Sequence, residues 1–266
     1  MKHPVFETLS VETDKGVLHA TLNRPEARNA MNVAMVRELT ELAGFANEHA
    51  DVRALVIRGA AGNFCAGGDI KDMARIRQAD GSGDPAADYN RGFGTMLTAL
   101  SRTRAAVVAV LEGAVLGGGF GLACISDVAI AHRDAKFGLP ETGLGLPPAQ
   151  IAPFVVARIG LTQARRLGVC GGRFDGEEAR RLGLVHFCES DESAVAVRLD
   201  ETLGQIRRCA PNANAITKAL MLRVGNEELE PLLDDAARQF SECVRSDEGK
   251  EGTAAFIEKR LPGWAE

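Results

Sequence analysis

Three consecutive glycines and one later carboxylate are the residues of this chain whose types could do chemistry together. Gly117, Gly118 and Gly119 lie between an apolar run and a predicted helix, and Glu141 follows in the segment FGLPETGLG. A backbone without side chains can approach a ligand closely and direct its N–H groups at it. The carboxylate could accept or donate a proton nearby. Backbone donors with one carboxylate favour chemistry at the enolate of a carbonyl compound.

Another glycine turn, NFCAGGDI, lies earlier in the chain and follows the predicted buried strand at 53–58. In it, Gly67 and Gly68 lead into a predicted helix that Asp69 could cap. Two such turns, each after a buried strand, could face one another and offer two N–H donors to one negative oxygen. From the residues alone, either turn could instead serve close helix–strand packing, and Glu141 could be a cap or a surface residue.

The elements that must position these groups are predicted from hydrophobic spacing. Strands are predicted at 16–23, 53–58, 106–113 and 127–131, with helices at 33–49, 69–77 and 89–102. From about residue 150 helical spacing dominates, with helices at 149–159, 161–169, 176–182, 194–209, 212–224, 229–244 and 252–259. The segment 79–88 is rich in Gly, Asp and Ala and is predicted to be an exposed loop. Alternating strands and helices indicate a layered α/β fold.

Composition narrows the class of protein. The 266 residues, 45% of them hydrophobic and 25% charged, suit one large domain with a smaller appendage. A net charge of −5 argues against a nucleic-acid partner. The six cysteines show no spacing typical of a zinc site, so no metal is expected. No stretch approaches the roughly 18 apolar residues of a membrane span, and no signal core is visible, so we expect a soluble, cytoplasmic protein without a membrane partner.

Five motifs carry a resemblance to a known family over nearly the whole chain. They are LNRPEARNAMN at 22–32, FCAGGDIKDM at 64–73, EGAVLGGGFGLACISDVAIA at 112–131, FGLPETGLGL at 137–146 and FDGEEARRLGLV at 174–185. In this order and spacing the chain resembles the crotonase (enoyl-CoA hydratase/isomerase) superfamily. The resemblance implies an α/β crotonase (ClpP-like) spiral of ββα units over 1–200, holding the CoA site. It also implies a C-terminal helical trimerisation region over 201–266, and a homotrimer or dimer of trimers.

The resemblance also implies a site. The substrate would be an acyl-coenzyme A thioester, with no permanently bound cofactor, and the thioester oxygen would accept hydrogen bonds from the N–H groups of Gly68 and Gly118. Glu141 would be the acid and base. Arg28 would meet the CoA phosphates, and Phe256 and Lys259 would close over the CoA moiety. The full set of implied substrate- and CoA-binding residues is Arg28, Ala30, Ala66, Gly67, Asp69, Ile70, Gly117, Gly121, Phe256 and Lys259.

One position departs from the pattern of hydratases in the family, which hold the attacking water with two glutamates. Glu141 matches one of them, but the other position is Gly121. One hypothesis is that Gly121 opens volume for a branched acyl arm and removes a charge that would repel a substrate carboxylate. A single glutamate is also typical of Δ3,Δ2-enoyl-CoA isomerases in the family. A third alternative is a CoA-binding subunit with little catalysis, against which the two glycine turns and Glu141 argue.

The finer resemblance concerns the substrate. The segments GGDIKDM, IAPFVVARIGLTQARRL and RRCAPNANAITKAL resemble the branch of glutaconyl-CoA hydratases that includes the isohexenylglutaconyl-CoA hydratases of acyclic terpene catabolism and the methylglutaconyl-CoA hydratases. This branch implies a hydro-lyase that hydrates a branched, 3-substituted glutaconyl-CoA. The enoyl-CoA isomerase, or another crotonase-type enoyl-CoA hydratase, remains the alternative.

Overall fold

The computed structural model describes residues 3–78 and 83–265, and its framework is two sheets with helices packed around them. The strands are β1 (Leu9–Asp14), β2 (Val17–Leu22), β3 (Ala54–Gly59), β4 (Ala106–Leu111), β5 (Ala114–Leu116), β6 (Val128–His132), β7 (Lys136–Gly138), β8 (Arg173–Phe174) and β9 (Phe187–Glu189). The helices are α1 (Val33–Glu48), α2 (Ile70–Arg77), α3 (Pro85–Ser101), α4 (Gly118–Ile125), α5 (Ala152–Cys170), α6 (Gly176–Arg181), α7 (Glu192–Arg208), α8 (Pro211–Arg223), α9 (Leu229–Arg245) and α10 (Asp247–Glu258).

The larger sheet has the order β1-β2-β3-β4-β6-β9. Only the β1–β2 pair in it is antiparallel, and the remaining pairs are parallel. All six residues of β4 are buried, because a parallel strand in the middle of a sheet is covered on both faces. Helices α1 and α3 contribute to the hydrophobic cluster on one face, and α7 contributes to the cluster on the other.

The smaller sheet, β5-β7-β8, continues from the end of β4. It brings the segment after β5 beside the segment after β7, because β5 and β7 are parallel neighbours. The arrangement of both sheets and of the helical C-terminal region confirms the predicted crotonase fold.

The predicted elements are largely confirmed, with differences at particular places. The four predicted strands match β2, β3, β4 and β6, whereas β1 and the short strands β5, β7, β8 and β9 were missed. Prediction of the loop at 79–88 was wrong from Pro85 onwards, where α3 begins and the Asp84 side chain caps it by accepting from the Ala87 N–H; residues 79–82 lie outside the described residues. The helices predicted at 149–159 and 161–169 form one element, α5, interrupted at Gly160, whose φ is 73°.

The C-terminal region is held at the N-terminal ends of the strands of the larger sheet. Lys218 Nζ lies 2.7 Å from Asp127 Oδ2 and 3.1 Å from the Ala105 carbonyl oxygen, at the starts of β6 and β4. Arg53, at the start of β3, donates to the Trp264 carbonyl oxygen at 3.2 Å. Helix α7 continues across the predicted boundary at residue 200, so the division into 1–200 and 201–266 stays a prediction. Within residues 3–78 and 83–265, no helix is both long enough and apolar enough to cross a membrane.

We expect Gly59→Ala to destabilise the protein, because the chain turns back onto this residue. A Cβ atom on Gly59 would lie 1.8 Å from the Asn63 carbonyl oxygen and 2.5 Å from that of Phe64, so backbone would have to move. A loss of about 1–3 kcal/mol is typical of such overpacking. Gly44→Ala is the matched control, because nothing lies within 4 Å of its Cβ position in α1 and alanine favours a helix by about 1 kcal/mol. Thermal unfolding of both variants distinguishes them; a Gly59→Ala protein as stable as the wild type would contradict the packing argument.

Candidate active site

Two glycine turns meet beyond the carboxyl ends of the neighbouring strands β3 and β4. The first turn contains Gly67 and Gly68, and the second contains Gly117 and Gly118. The Cys65 N–H donates to the Ala114 carbonyl oxygen at 2.8 Å, and the Leu116 N–H donates to the Cys65 carbonyl oxygen at 3.0 Å. This parallel bridge lies directly before both turns and holds them in register. A Cβ atom on Gly117 would lie 3.6 Å from the Gly67 Cα, so the two turns touch. Gly67 and Gly117 have φ values of 103° and 50°, which favour glycine.

Each turn presents an N–H group that has no acceptor among the described residues. These are the N–H groups of Gly68 and Gly118, whereas the N–H of Asp69 donates to the Met31 carbonyl oxygen at 2.9 Å. Gly118 is the first residue of α4, so its N–H also lies at the positive end of the helix dipole. The Phe93 ring faces both glycines: its Cζ lies 3.7 Å from the position that a Cβ atom on Gly68 would occupy, and its Cε1 lies 3.5 Å from that of Gly118. The two free donors therefore border one common space.

Glu141 lies beside the second turn. It begins a short 3-10 helix after β7, and its Oε1 is 2.8 Å from the position that a Cβ atom on Gly117 would occupy. Its Oε2 is buried without a hydrogen-bond partner among the described residues. Burial raises the pKa of the Glu141 carboxyl group above its usual value, because the charged form loses solvent. A carboxylate whose pKa is raised is a stronger base than an ordinary glutamate, which suits it to take up a proton.

Gly121 lies one helical turn after Gly117, and its N–H donates to the Gly117 carbonyl oxygen at 3.0 Å. A Cβ atom on Gly121 would lie 2.6 Å from Ile151 Cγ2 and 3.2 Å from Leu97 Cδ1. The hypothesis that Gly121 opens volume for an acyl arm is therefore wrong, because two apolar side chains already fill that space. The same contacts show that the place of a second glutamate is apolar here.

Asp69 fixes the conformation of the first turn. Its side chain caps α2 by accepting from the Lys71 N–H at 2.8 Å and forms an ion pair with Arg24, whose Nη2 is 2.8 Å from Oδ2. Burial alone would raise the pKa of Asp69, but the hydrogen bonds from Arg24 and Lys71 outweigh it and hold the pKa below its usual value. The sequence reasoning named Asp69 but missed Arg24 as its partner.

The residues predicted to bind CoA divide into two groups. The first group lies next to the first turn: the Arg28 carbonyl oxygen accepts from the Ala66 N–H at 3.0 Å, and Ala30 and Ile70 are close by. The side chains of Arg28 and Ile70 are exposed. Phe256 and Lys259 are exposed on and just after α10. The structure does not bring them to the glycine turns within one chain, because the C-terminal helices are tied to the opposite ends of the strands.

Two further side chains at the site carry reactive groups. The Cys65 thiol is buried, which raises its pKa to about 12, so it stays protonated and is no nucleophile. Tyr89, the one tyrosine of the chain, was missed by the sequence reasoning. Its Oη lies 3.7 Å from the Cβ position of Gly68. Its place directly after a segment predicted as a loop gave no signal for this contact. Among the described residues, no group of three or more His, Cys, Asp or Glu side chains could hold a metal ion.

This fold, with backbone donors and a carboxylate at the carboxyl ends of its parallel strands, is that of the crotonase class of enzymes. The chain belongs to the enoyl-CoA hydratase/isomerase family: residues 12–266 match the family model described as "Enoyl-CoA hydratase/isomerase". A probable enoyl-CoA hydratase of Mycobacterium tuberculosis is 36% identical over 97% of each chain. The protein is therefore an enzyme of the enoyl-CoA hydratase/isomerase type, a family that acts on CoA thioesters.

Solved structures of two similar proteins have the same fold. Pseudomonas aeruginosa AtuE is 62% identical, with a TM-score of 0.96 over 98% of this chain and 100% of that one. An enoyl-CoA hydratase/isomerase from Marinobacter aquaeolei is 53% identical, with a TM-score of 0.95 over 97% of this chain and 99% of that one.

The contact between Gly121 and Ile151 can be tested by a double-mutant cycle. Alanine normally stabilises a helix relative to glycine by about 1 kcal/mol, but we expect Gly121→Ala to destabilise this protein by about 1–3 kcal/mol through overpacking. Ile151→Ala removes the Cγ2 atom that the new methyl group would meet. In that background Gly121→Ala should cost much less, which denaturant unfolding would show as a coupling energy. Strictly additive effects would contradict the contact.

Glu141→Gln is expected to stabilise the folded protein at neutral and alkaline pH. Because the pKa of the folded state is raised above the usual 4.5, the folded protein holds a desolvated charge at high pH that the unfolded chain does not. This cost disappears as the pH falls through the raised pKa towards 4.5. The gain, about 1 kcal/mol or less because solvent still reaches part of the side chain, should therefore shrink in acid. Thermal melts from pH 8 to pH 5 measure it, and a gain that grows in acid would contradict the burial of the charge.

Proposed function

We propose that this enzyme hydrates a branched, 3-substituted glutaconyl-CoA, the class to which isohexenylglutaconyl-CoA belongs. The thioester oxygen would accept hydrogen bonds from the N–H groups of Gly68 and Gly118, and Glu141 would move the proton. The observation that carries the proposal is the pair of N–H groups without acceptors on two touching turns, beside Glu141, whose Oε2 is buried without a partner among the described residues.

The reaction follows from these three groups. Glu141 takes a proton from water as the hydroxyl oxygen bonds to the β-carbon, and the electron pair of the double bond moves into the thioester as an enolate. The two N–H groups stabilise the negative oxygen, an effect worth on the order of 10²- to 10³-fold in rate per donor. Glu141 then returns the proton to the α-carbon, so the carboxylate is regenerated. Its raised pKa favours the first step, because burial makes the carboxylate a stronger base.

The substrate class is supported by the glutaconyl-CoA hydratase motifs and by the surroundings of Gly121. A second glutamate there would place another negative charge near the acyl group, whereas Ile151 and Leu97 leave that place uncharged. A glutaconyl group carries a carboxylate of its own, which like charge nearby would repel. We propose that this loss of charge, rather than a gain of volume, is the effect of Gly121.

An enoyl-CoA isomerase is the second candidate, and the single carboxylate favours it. Moving a double bond from the β,γ to the α,β position needs one group that removes a proton from the α-carbon and returns one to the γ-carbon. Glu141 alone could do this while the same two N–H groups stabilise the dienolate.

The proposed assembly is a homotrimer or a dimer of trimers. Large apolar side chains on the C-terminal helices are exposed in the single chain, among them Leu229, Leu233 and Phe240 of α9. In a trimer Phe256 and Lys259 could reach the CoA of a neighbouring subunit, which they do not reach in their own.

Turnover of two kinds of substrate tests the function. With 3-methylglutaconyl-CoA the wild type should remove the absorbance of the conjugated enoyl thioester. An isomerase would instead raise that absorbance from a β,γ-enoyl-CoA and leave the conjugated thioester unchanged.

Glu141→Gln should lower kcat by about 10²- to 10⁴-fold and leave the Kd of a saturated acyl-CoA within about twofold, since the amide keeps the shape. The matched control is Glu41→Gln, on the exposed face of α1; unchanged turnover in Glu141→Gln would refute the assignment.

A further inference from the structure

Tyr89 places a buried hydroxyl group at the site that the reaction of Glu141 does not use. It lies on α3, four residues before Phe93, and the two rings form an edge-to-face pair with their centroids 5.2 Å apart. Its Oη is buried and has no hydrogen-bond partner among the described residues. Leaving such a hydroxyl group unsatisfied costs about 1–3 kcal/mol. A partner supplied by a ligand would remove this cost.

Few groups of this kind occur in the part of the chain that the structure describes. Three buried side-chain polar atoms there lack a partner: Tyr89 Oη, Glu141 Oε2 and Arg207 Nε. Tyr89 Oη lies 3.7 Å from the Cβ position of Gly68, and Glu141 Oε1 lies 2.8 Å from that of Gly117. Two of the three residues therefore border the two touching glycine turns. Unsatisfied polar atoms concentrated at one site indicate polar groups of a ligand.

The two side chains adjoin different turns. Glu141 lies at the second turn and Tyr89 at the first, so a thioester between the turns has the carboxylate on one side and the phenol on the other. The water that Glu141 activates must lie within hydrogen-bonding distance of Glu141, which leaves Tyr89 facing the acyl group. Met73 Cε, 2.7 Å from the Cβ position of Gly68, lies at the end of a flexible side chain that can move aside for a ligand.

The charges around Tyr89 allow a negative ligand group. Asp69 is paired with Arg24 at 2.8 Å, and Asp72 with Arg75 at 3.2 Å, so each carboxylate near the phenol has a cation beside it that offsets part of its charge. Burial raises the pKa of the Tyr89 hydroxyl well above its usual value, and the negative charges of Asp72 and Asp69 raise it further. The phenol therefore stays protonated at neutral pH and acts as a neutral donor.

We propose that Tyr89 donates a hydrogen bond to the carboxylate at the far end of the substrate's acyl group, and so selects a dicarboxylic acyl-CoA over a plain enoyl-CoA. The inference rests on the proposed function for its substrate class. In a glutaconyl thioester the thioester oxygen is bound by the N–H groups of Gly68 and Gly118. The terminal carboxylate is then the strongest acceptor left on the acyl group, and a hydroxyl group is a donor that fits it.

Binding of two unreactive thioesters tests this proposal. Glutaryl-CoA keeps the terminal carboxylate and butyryl-CoA lacks it, and neither has a double bond to hydrate. Calorimetry should show that Tyr89→Phe weakens glutaryl-CoA binding about 10-fold or more, the effect of losing a hydrogen bond to a charged group, and leaves butyryl-CoA binding within about twofold. Thr95→Val is the matched control, because it removes an exposed hydroxyl group from the same helix, and it should change neither affinity.

The other outcomes overturn the proposal. An equal loss for both thioesters would show that Tyr89 supports the thioester oxygen or the fold, and no loss for glutaryl-CoA would show that it makes no such contact. If Tyr89→Phe binds neither thioester, the wild type is compared instead, and equal affinity for glutaryl-CoA and butyryl-CoA refutes the proposal. If the wild type prefers glutaryl-CoA, Tyr89→His should keep part of that preference, because it retains a donor. These measurements need no turnover, so the failure of hydration and the failure of this inference are distinguishable.

Discussion

The site depends on a short parallel bridge between the segments that follow β3 and β4. Cys65 and Val115 pair through two backbone hydrogen bonds, and two residues later each segment turns at a glycine. Because parallel neighbours run in the same direction, both turns present their N–H groups at the same edge of the sheet. Both turns need a glycine at a positive φ, and a side chain on Gly117 would also approach Glu141 Oε1 to 2.8 Å. Two donors without acceptors are the result, and they are prearranged before any substrate arrives.

The remaining groups are arranged around this pair. The smaller sheet places the end of β7 beside the end of β5, which brings Glu141 to the second turn. Helix α3 packs across both turns and supplies Phe93 and Tyr89. Ile151, directly before α5, fills the space beside Gly121. A carboxylate, a phenol and an apolar wall therefore come from three different elements and meet at one pair of backbone donors.

Specific residues show how far prediction from the sequence could go. The strands β2, β3, β4 and β6 and the α-helices of the C-terminal half were predictable, because their hydrophobic spacing repeats over many residues. The short strands β5, β7, β8 and β9 were not, since two or three residues carry too little pattern. The beginning of α3 at Pro85 was missed because a composition rich in Gly, Asp and Ala concealed the cap at Asp84. Tyr89 was missed as a member of the site because it lies in no motif that itself suggests chemistry. The pairing of Arg24 with Asp69 was missed because the two residues lie in different motifs.

The sequence by itself determined the family, the fold class and the residues of the two glycine turns, because these follow from local motifs and their order along the chain. It also showed that Gly121 stands where a second glutamate is expected. Only the tertiary structure decided what that glycine means, since whether a missing side chain leaves a cavity depends on Ile151 and Leu97, which are distant from it in sequence. Only the tertiary structure showed where Phe256 lies in the single chain and that the hydroxyl group of Tyr89 is buried at the site. Contacts between residues far apart in sequence are set by packing, and no local pattern encodes them.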